Sequence, residues 1–273
     1  NATASAESAT AVGGALYYTD DAGNVLLDSN TTASAAGASA FGAGAEATGA
    51  FSTASGAGSS AAGLQSTALG YSSEADSDSS TALGAVSSPS GLRTTALGYG
   101  AEASGDYASA LGWGSLASGS YASALGYGAT ASGAYATGIG ASARATGEDA
   151  TAVGATAWAT AAQTTALGQF AWATSQGATA IGQDSYAYGR ANATALGTSP
   201  WAHGANTVAP GAGSRPSEPD VAPVGGGHGA TAPATPRLTN VAHAVNANDA
   251  VTKSQPHAGA CPAASTTSAF PAT

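Results

Sequence analysis

The sequence is short of nearly everything from which a conventional globule is built. It has no methionine, four phenylalanines and four tryptophans. Charged residues make up 8% of it, against roughly 25% in typical soluble proteins. Large apolar side chains are too few to fill an ordinary compact core. Lysine and arginine together number 6 against 16 acidic residues, a formal net charge of −10. That balance excludes the phosphate-neutralising surface of a nucleic-acid-binding protein and disfavours attachment to anionic lipid. The single cysteine, Cys261, excludes an intrachain disulfide framework. No apolar run reaches the roughly 18 residues of a membrane-spanning helix, so direct membrane insertion by this segment is not expected. No basic stretch followed by an apolar one comes after Asn1, so an export signal, if the protein is exported, is expected to lie outside these residues.

What the sequence has instead is glycine, 39 residues of it, together with alanine, serine and threonine in a fixed period. Thr-Ala-Leu-Gly begins at residues 67, 81 and 95, Ser-Ala-Leu-Gly at 109 and 123, and close variants at 137, 151, 165 and 179. The large apolar residues of these phrases are Leu69, Leu83, Leu97, Leu111, Leu125, Ile139, Val153, Leu167 and Ile181, each 14 residues after the last. A disordered low-complexity tract has no reason to hold leucines in register. A short fixed period signals a solenoid, and this one is too short for helix-pair repeats.

One rung shows how the period folds. In residues 95–108, Thr-Ala-Leu-Gly-Tyr-Gly-Ala-Glu-Ala-Ser-Gly-Asp-Tyr-Ala, Gly98 and Gly105 recur as Gly112 and Gly119, then as Gly126 and Gly133. Glycine permits positive φ or close backbone approach, so these positions mark two corners. Between them lie segments of alternating residues with the two-residue period of strands. Two short strands per rung make a flattened parallel β-roll, with rungs stacked about 4.8 Å apart and ten or so rungs spanning on the order of 50 Å.

Alternation sorts the faces. Ala108 and Ala110 share one face, as do Ala101 and Ala103, and the simplest packing sets these alanines inside a thin roll. Leu111 and its equivalents then form an outer stripe, an apolar surface that calls for a partner. Parallel self-association would bury it. The alternative is a wider roll whose interior the leucines fill.

Three aromatic columns also follow the period. Tyr99, Trp113 and Tyr127 come just after a corner glycine; Tyr107, Tyr121 and Tyr135 form a second column; Trp158, Trp172 and Tyr186 take the outward position held by Glu102 in its own rung. Such columns either stabilise the roll as ladders or present a ligand surface, exposed Tyr and Trp being enriched in binding hot spots.

No catalytic constellation is expected, and no cofactor. His203, His228, His243 and His257 all lie outside the repeat, and His257 with Cys261 is at most half a metal site. Gly98-x-Gly100 starts like a dinucleotide fingerprint, but Ala103 stands where the third glycine belongs. Glu74, Asp76 and Asp78 read as solvated turn residues. An enzyme built on a β-solenoid needs a carboxylate or basic cluster along one groove, and none is present.

Along the chain, residues 1–40 are expected as a lead-in or cap with short strands, Leu16 to Leu27 reading as two short strands around the turn Asp21-Ala22-Gly23-Asn24, a hairpin-like insertion or a cap. Residues 41–197 carry the roll. The phrase Thr194-Ala195-Leu196-Gly197 comes 15 residues after its predecessor, which predicts one extra residue near Arg190 to Asn192. Residues 198–236 read as a Gly/Pro-rich loop or linker, 237–255 as a different module, and 256–273 as a tail without regular structure.

The Ala-Leu-Gly rungs with Ala-x-Ala-x-Gly between them resemble the head repeats of trimeric autotransporter adhesins of the YadA-like, haemagglutinin-repeat type. Arg237-Leu238-Thr239-Asn240-Val241 followed by Asp249-Ala250-Val251 resembles that family's neck motif, with Leu238, Asn240, Val241, Asp249 and Val251 as its characteristic positions. The chain departs from the pattern after Lys253, where Pro256 ends any helix. The resemblance implies a left-handed parallel β-roll assembled as a parallel homotrimer, with the leucine stripe at the interface. It further implies a non-enzymatic head at the bacterial cell surface, anchored in the outer membrane by a segment outside this chain and binding host extracellular-matrix proteins or glycans. A structural spacer or shielding rod without a specific ligand is the alternative.

Overall fold

The computed structural model describes residues 1–19, 25–216 and 219. The chain divides into two compact units, residues 1–233 and 234–273. The second unit lies outside the described residues, and so do the neck-like motif, His228, His243, His257 and Cys261.

The first unit is an all-β parallel solenoid. From Ser39 onward, rungs contribute a three-residue strand to one face and a two-residue strand to the other. The first face is a single 14-stranded sheet running from Thr10–Val12 to Val208–Pro210. Register is strict: Thr95 pairs with Ser109, Ala96 with Ala110 and Leu97 with Leu111. The opposite face divides into a five-stranded and a nine-stranded sheet. The division falls between Glu74–Ala75 and Ser88–Pro89, where Pro89 has no N–H to donate to a ladder.

Alanine fills the interior, as alternation predicts. Ala96, Ala101, Ala103, Ala108 and Ala110 are all 0% exposed. The two faces lie too close for a larger side chain, so the wider roll filled by leucines is not formed. Leu83, Leu97 and Leu125 are 40%, 37% and 46% exposed on the outer side of the 14-stranded sheet. The residue closing each corner is also buried, and at several corners where it is Ser or Thr its hydroxyl donates to the carbonyl three residues back. Thr94 Oγ1 reaches the Gly91 carbonyl at 2.7 Å and Ser87 Oγ the Gly84 carbonyl at 2.8 Å. Ser52 and Ser66 are buried at equivalent places without a partner for their hydroxyls.

The two corner glycines act differently. Gly98 has φ +131°, whereas Gly105 has an ordinary φ and is needed because any Cβ there would strike the carbonyl of Gly119 in the next rung. The left-handed residues proper lie two positions later and are mostly not glycine. Val86, Arg93, Tyr107, Tyr121 and Tyr135 have φ of 58°, 54°, 61°, 59° and 58°. Rung-to-rung hydrogen bonds hold them there, such as Tyr107 N–H to the Leu92 carbonyl at 2.8 Å.

Two expected boundaries move. The lead-in is already solenoid: Ala2–Ala4 pairs in parallel with Thr31–Ala33, and Thr10–Val12 with Ser39–Phe41. A hairpin of Leu16–Thr19 against Val25–Ser29 is inserted between these rungs. At the other end the roll does not stop at residue 197. Trp201–Ala202 pairs with Tyr186–Ala187, and Val208–Pro210 with Thr194–Leu196, so a linker beginning at residue 198 is ruled out. The extra residue falls in the corner between Ala187 and Thr194, as expected, and the 14-residue step then resumes from Thr194 to Val208.

Candidate ligand surface

Stacking equivalent rungs sets equivalent side chains about 4.8 Å apart, and the aromatic columns follow from that spacing. Tyr107 and Tyr121 stack with centroids 4.8 Å apart and planes 3° from parallel, and Tyr121 stacks on Tyr135 at 5.1 Å and 5°. Trp113 stacks on Tyr127 at 4.8 Å and 6°, and Tyr99 on Trp113 at 6.1 Å and 11°. Both columns lie at corners and are well exposed. Their ring faces are turned toward one another, which leaves mainly edges for solvent.

The third column is different. It projects from the nine-stranded sheet, on the side of the roll opposite the leucine stripe, and its rings are half-buried. Trp158 and Trp172 stack at 4.6 Å and 2°. Tyr186 then turns out of the stack, at 73° to Trp172, and Trp201 stands at 61° to Tyr186. Tyr188 enters from the neighbouring outward position, at 72° to Trp201 and 64° to His203. The turned rings line a groove of about 440 Å³ whose wall also includes Thr160 and Thr174. Trp172 contributes a cost as well, since its indole N–H is buried without an acceptor.

Cations gather on these columns. Arg93, Arg144, Arg190 and Arg215 are the Lys and Arg residues among the described ones, and three of them stand over a ring. Arg93 lies 5.8 Å from the Tyr107 centroid, Arg144 5.4 Å from that of Trp158 and Arg215 4.3 Å from that of Trp201. Each guanidinium gains a cation–π contact from its ring.

Trp201 and Tyr188 belong to this surface but were not expected there, and His203 lies beside it rather than in a loose linker. The signal was present: Trp201-Ala202 repeats Trp158-Ala159 and follows Tyr186 at the same 15-residue step that separates Thr179 from Thr194. The acidic residues have separate duties. Asp78 Oδ1 accepts the Leu64 N–H at 2.9 Å, and Asp76 Oδ1 accepts from Ser60 Oγ at 3.3 Å. Among the described residues no three His, Cys, Asp or Glu side chains come together in a group that could hold a metal ion.

The model of the YadA head domain repeat matches five successive segments, residues 61–87, 90–115, 117–143, 145–171 and 173–199. The chain belongs to the YadA head-repeat family. No curated protein matches it. The matched segments cover the leucine stripe from Leu69 to Ile181 and stop before Trp201, so the last rungs of the roll are supplied by the structure alone. The family is one of adhesin heads, generally without enzymatic activity.

Proposed function

We propose that this chain is the head of a non-enzymatic adhesin on the bacterial surface, a left-handed β-roll that assembles as a parallel homotrimer and binds host extracellular-matrix proteins or glycans. The observation that carries this reading is the division of labour between the two faces. The leucine stripe runs along one sheet from Leu69 to Ile181, half-buried at Leu69, Leu111, Val153 and Leu167 and exposed at the other five positions, where three copies can cover it around a common axis; each exposed side chain so covered contributes about 1 kcal/mol, a fraction of a full burial. The Trp158 column is on the other sheet and stays outward in that arrangement. Shallow contacts on such a surface are multiplied by three-fold avidity.

A structural spacer is the second reading, and one observation favours it: at the corner columns the rings spend their faces on each other, as a purely stabilising ladder would. Solid-phase binding of the purified protein to collagen, fibronectin, laminin and a glycan panel separates the two, with light scattering run in parallel. A trimer with saturable binding to any of these supports the adhesin. A correctly assembled trimer that binds none supports the spacer.

A further inference from the structure

In a regular ladder every ring face is taken by the rung above and the rung below. The Trp158 column is the place where the ladder breaks, and it breaks next to the 15-residue rung. Tyr186 stands edge-to-face with both rung neighbours, at 73° to Trp172 and 61° to Trp201, and Tyr188 stands at 72° to Trp201, so the faces are no longer shared in parallel pairs. Hydroxyl-bearing Thr160 and Thr174 line the same groove. A surface of aromatic faces beside hydroxyls suits the pyranose ring, whose C–H bonds pack on an aromatic face while its hydroxyls find polar partners. Rungs about 4.8 Å apart advance by nearly the length of one sugar in an extended chain.

The ends of the column specify charge. Arg144 precedes Trp158 by one rung and Arg215 follows Trp201 by one, so the column is bracketed by guanidinium groups five rungs, or about 24 Å, apart. Among the described residues neither arginine is in an ion pair; each is held by its tryptophan. The chain has only six Lys and Arg residues, and two of its arginines stand at the two ends of one apolar groove. A guanidinium fork matches a carboxylate in a bidentate geometry.

We infer that the groove over Trp172, Tyr186, Tyr188 and Trp201 binds an extended, carboxylate-bearing pyranose oligosaccharide, its rings on the aromatic faces and its acid groups at Arg144 and Arg215. The inference rests on the adhesin reading, of which it names the ligand class and the subsite. Its length requirement is also set: a chain too short to reach from one arginine to the other loses one of the two charge contacts.

Titration calorimetry of the assembled protein with a hyaluronan octasaccharide, in which uronate and N-acetylhexosamine alternate, tests it against neutral chitohexaose. Binding of the acidic chain is expected, with chitohexaose several-fold weaker. Tyr186→Thr/Tyr188→Thr installs the residue that equivalent positions 130 and 174 already carry, so the fold is kept; it is expected to weaken binding roughly tenfold or more. Arg144→Gln/Arg215→Gln is expected to weaken it about three- to tenfold and to flatten its salt dependence. Equal binding of chitohexaose, unaffected by the arginine substitutions, overturns the requirement for acid. No oligosaccharide binding by a protein that still adheres to a matrix protein overturns the inference and leaves the adhesin standing, whereas loss of both sinks both. A change in solution mass on Tyr186→Thr/Tyr188→Thr would show that a second copy covers the groove, and overturns the inference as well.

Discussion

Gly98 faces Gly112 across one rung so closely that a Cβ on Gly98 would lie 2.5 Å from the Gly112 carbonyl oxygen. Gly98 also has φ +131°, outside the range of L side chains. Both constraints recur at Gly112 and Gly126, so the rung spacing itself depends on the missing side chain. Gly98→Ala is expected to cost about 2–3 kcal/mol through strain and displacement of the next rung. Gly100→Ala, at φ +61° with nothing within 4 Å of the added methyl, is expected to cost only about 1 kcal/mol. Urea unfolding at matched protein concentration ranks the two, and equal midpoints would show that the close approach is not limiting.

Val86 sits two residues past its corner glycine with φ 58° and is 47% exposed. A β-branched residue is the least suited to that conformation, and little of its apolar surface is buried in return. Val86→Asn is expected to stabilise by about 1 kcal/mol, since Asn tolerates the left-handed region. The check is a rise in the thermal midpoint with the solution mass unchanged; a fall would mean that the exposed valine is covered in the assembly.

The buried corner hydroxyls divide into satisfied and unsatisfied. Thr94 donates to the Gly91 carbonyl at 2.7 Å, while the Ser66 hydroxyl is buried without a partner. Alanine occupies the equivalent place at residue 108, so either change is sterically allowed. Thr94→Ala is expected to cost about 1 kcal/mol, whereas Ser66→Ala should be neutral or slightly stabilising because it removes an orphaned polar group. Denaturation midpoints measured side by side decide, and a larger loss for Ser66→Ala would contradict the hydrogen-bond assignment.

The architecture was legible because alanine and leucine alternate in a register that only one strand pairing satisfies. Ala110 inside and Leu111 outside follow from that alternation and hold in the structure. The left-handed corner positions were not legible, because Val86, Arg93 and Tyr107 carry none of the glycine or asparagine that normally marks them; the ladder on either side imposes the conformation. Trp201 is hard to read as a rung position because it lies beyond the one irregular, 15-residue step, which breaks the period that marks its equivalents. The angle of Tyr186 could not be read at all, since ring orientation depends on which neighbours fill the space beside it.

The leucine stripe carries the assembly argument and admits a controlled test. Leu97 and Leu125 project from the 14-stranded sheet and are 37% and 46% exposed in the single chain. Leu116 projects from the opposite sheet, in the column that also holds Glu102 and Arg144. If the stripe is the trimer interface, Leu97→Lys/Leu125→Lys brings like charges together around the axis and removes interface burial of about 1 kcal/mol per side chain, the exposed fraction of a full burial. Light scattering should then report the mass of one chain instead of three, with β-sheet circular dichroism retained. Leu116→Lys adds the same charge to the other face and should leave the trimer intact. A trimer that survives the double substitution but is lost on Leu116→Lys would place the interface on the aromatic side, and with it the groove at Tyr186 and Tyr188 would be a contact between copies rather than a surface for a ligand.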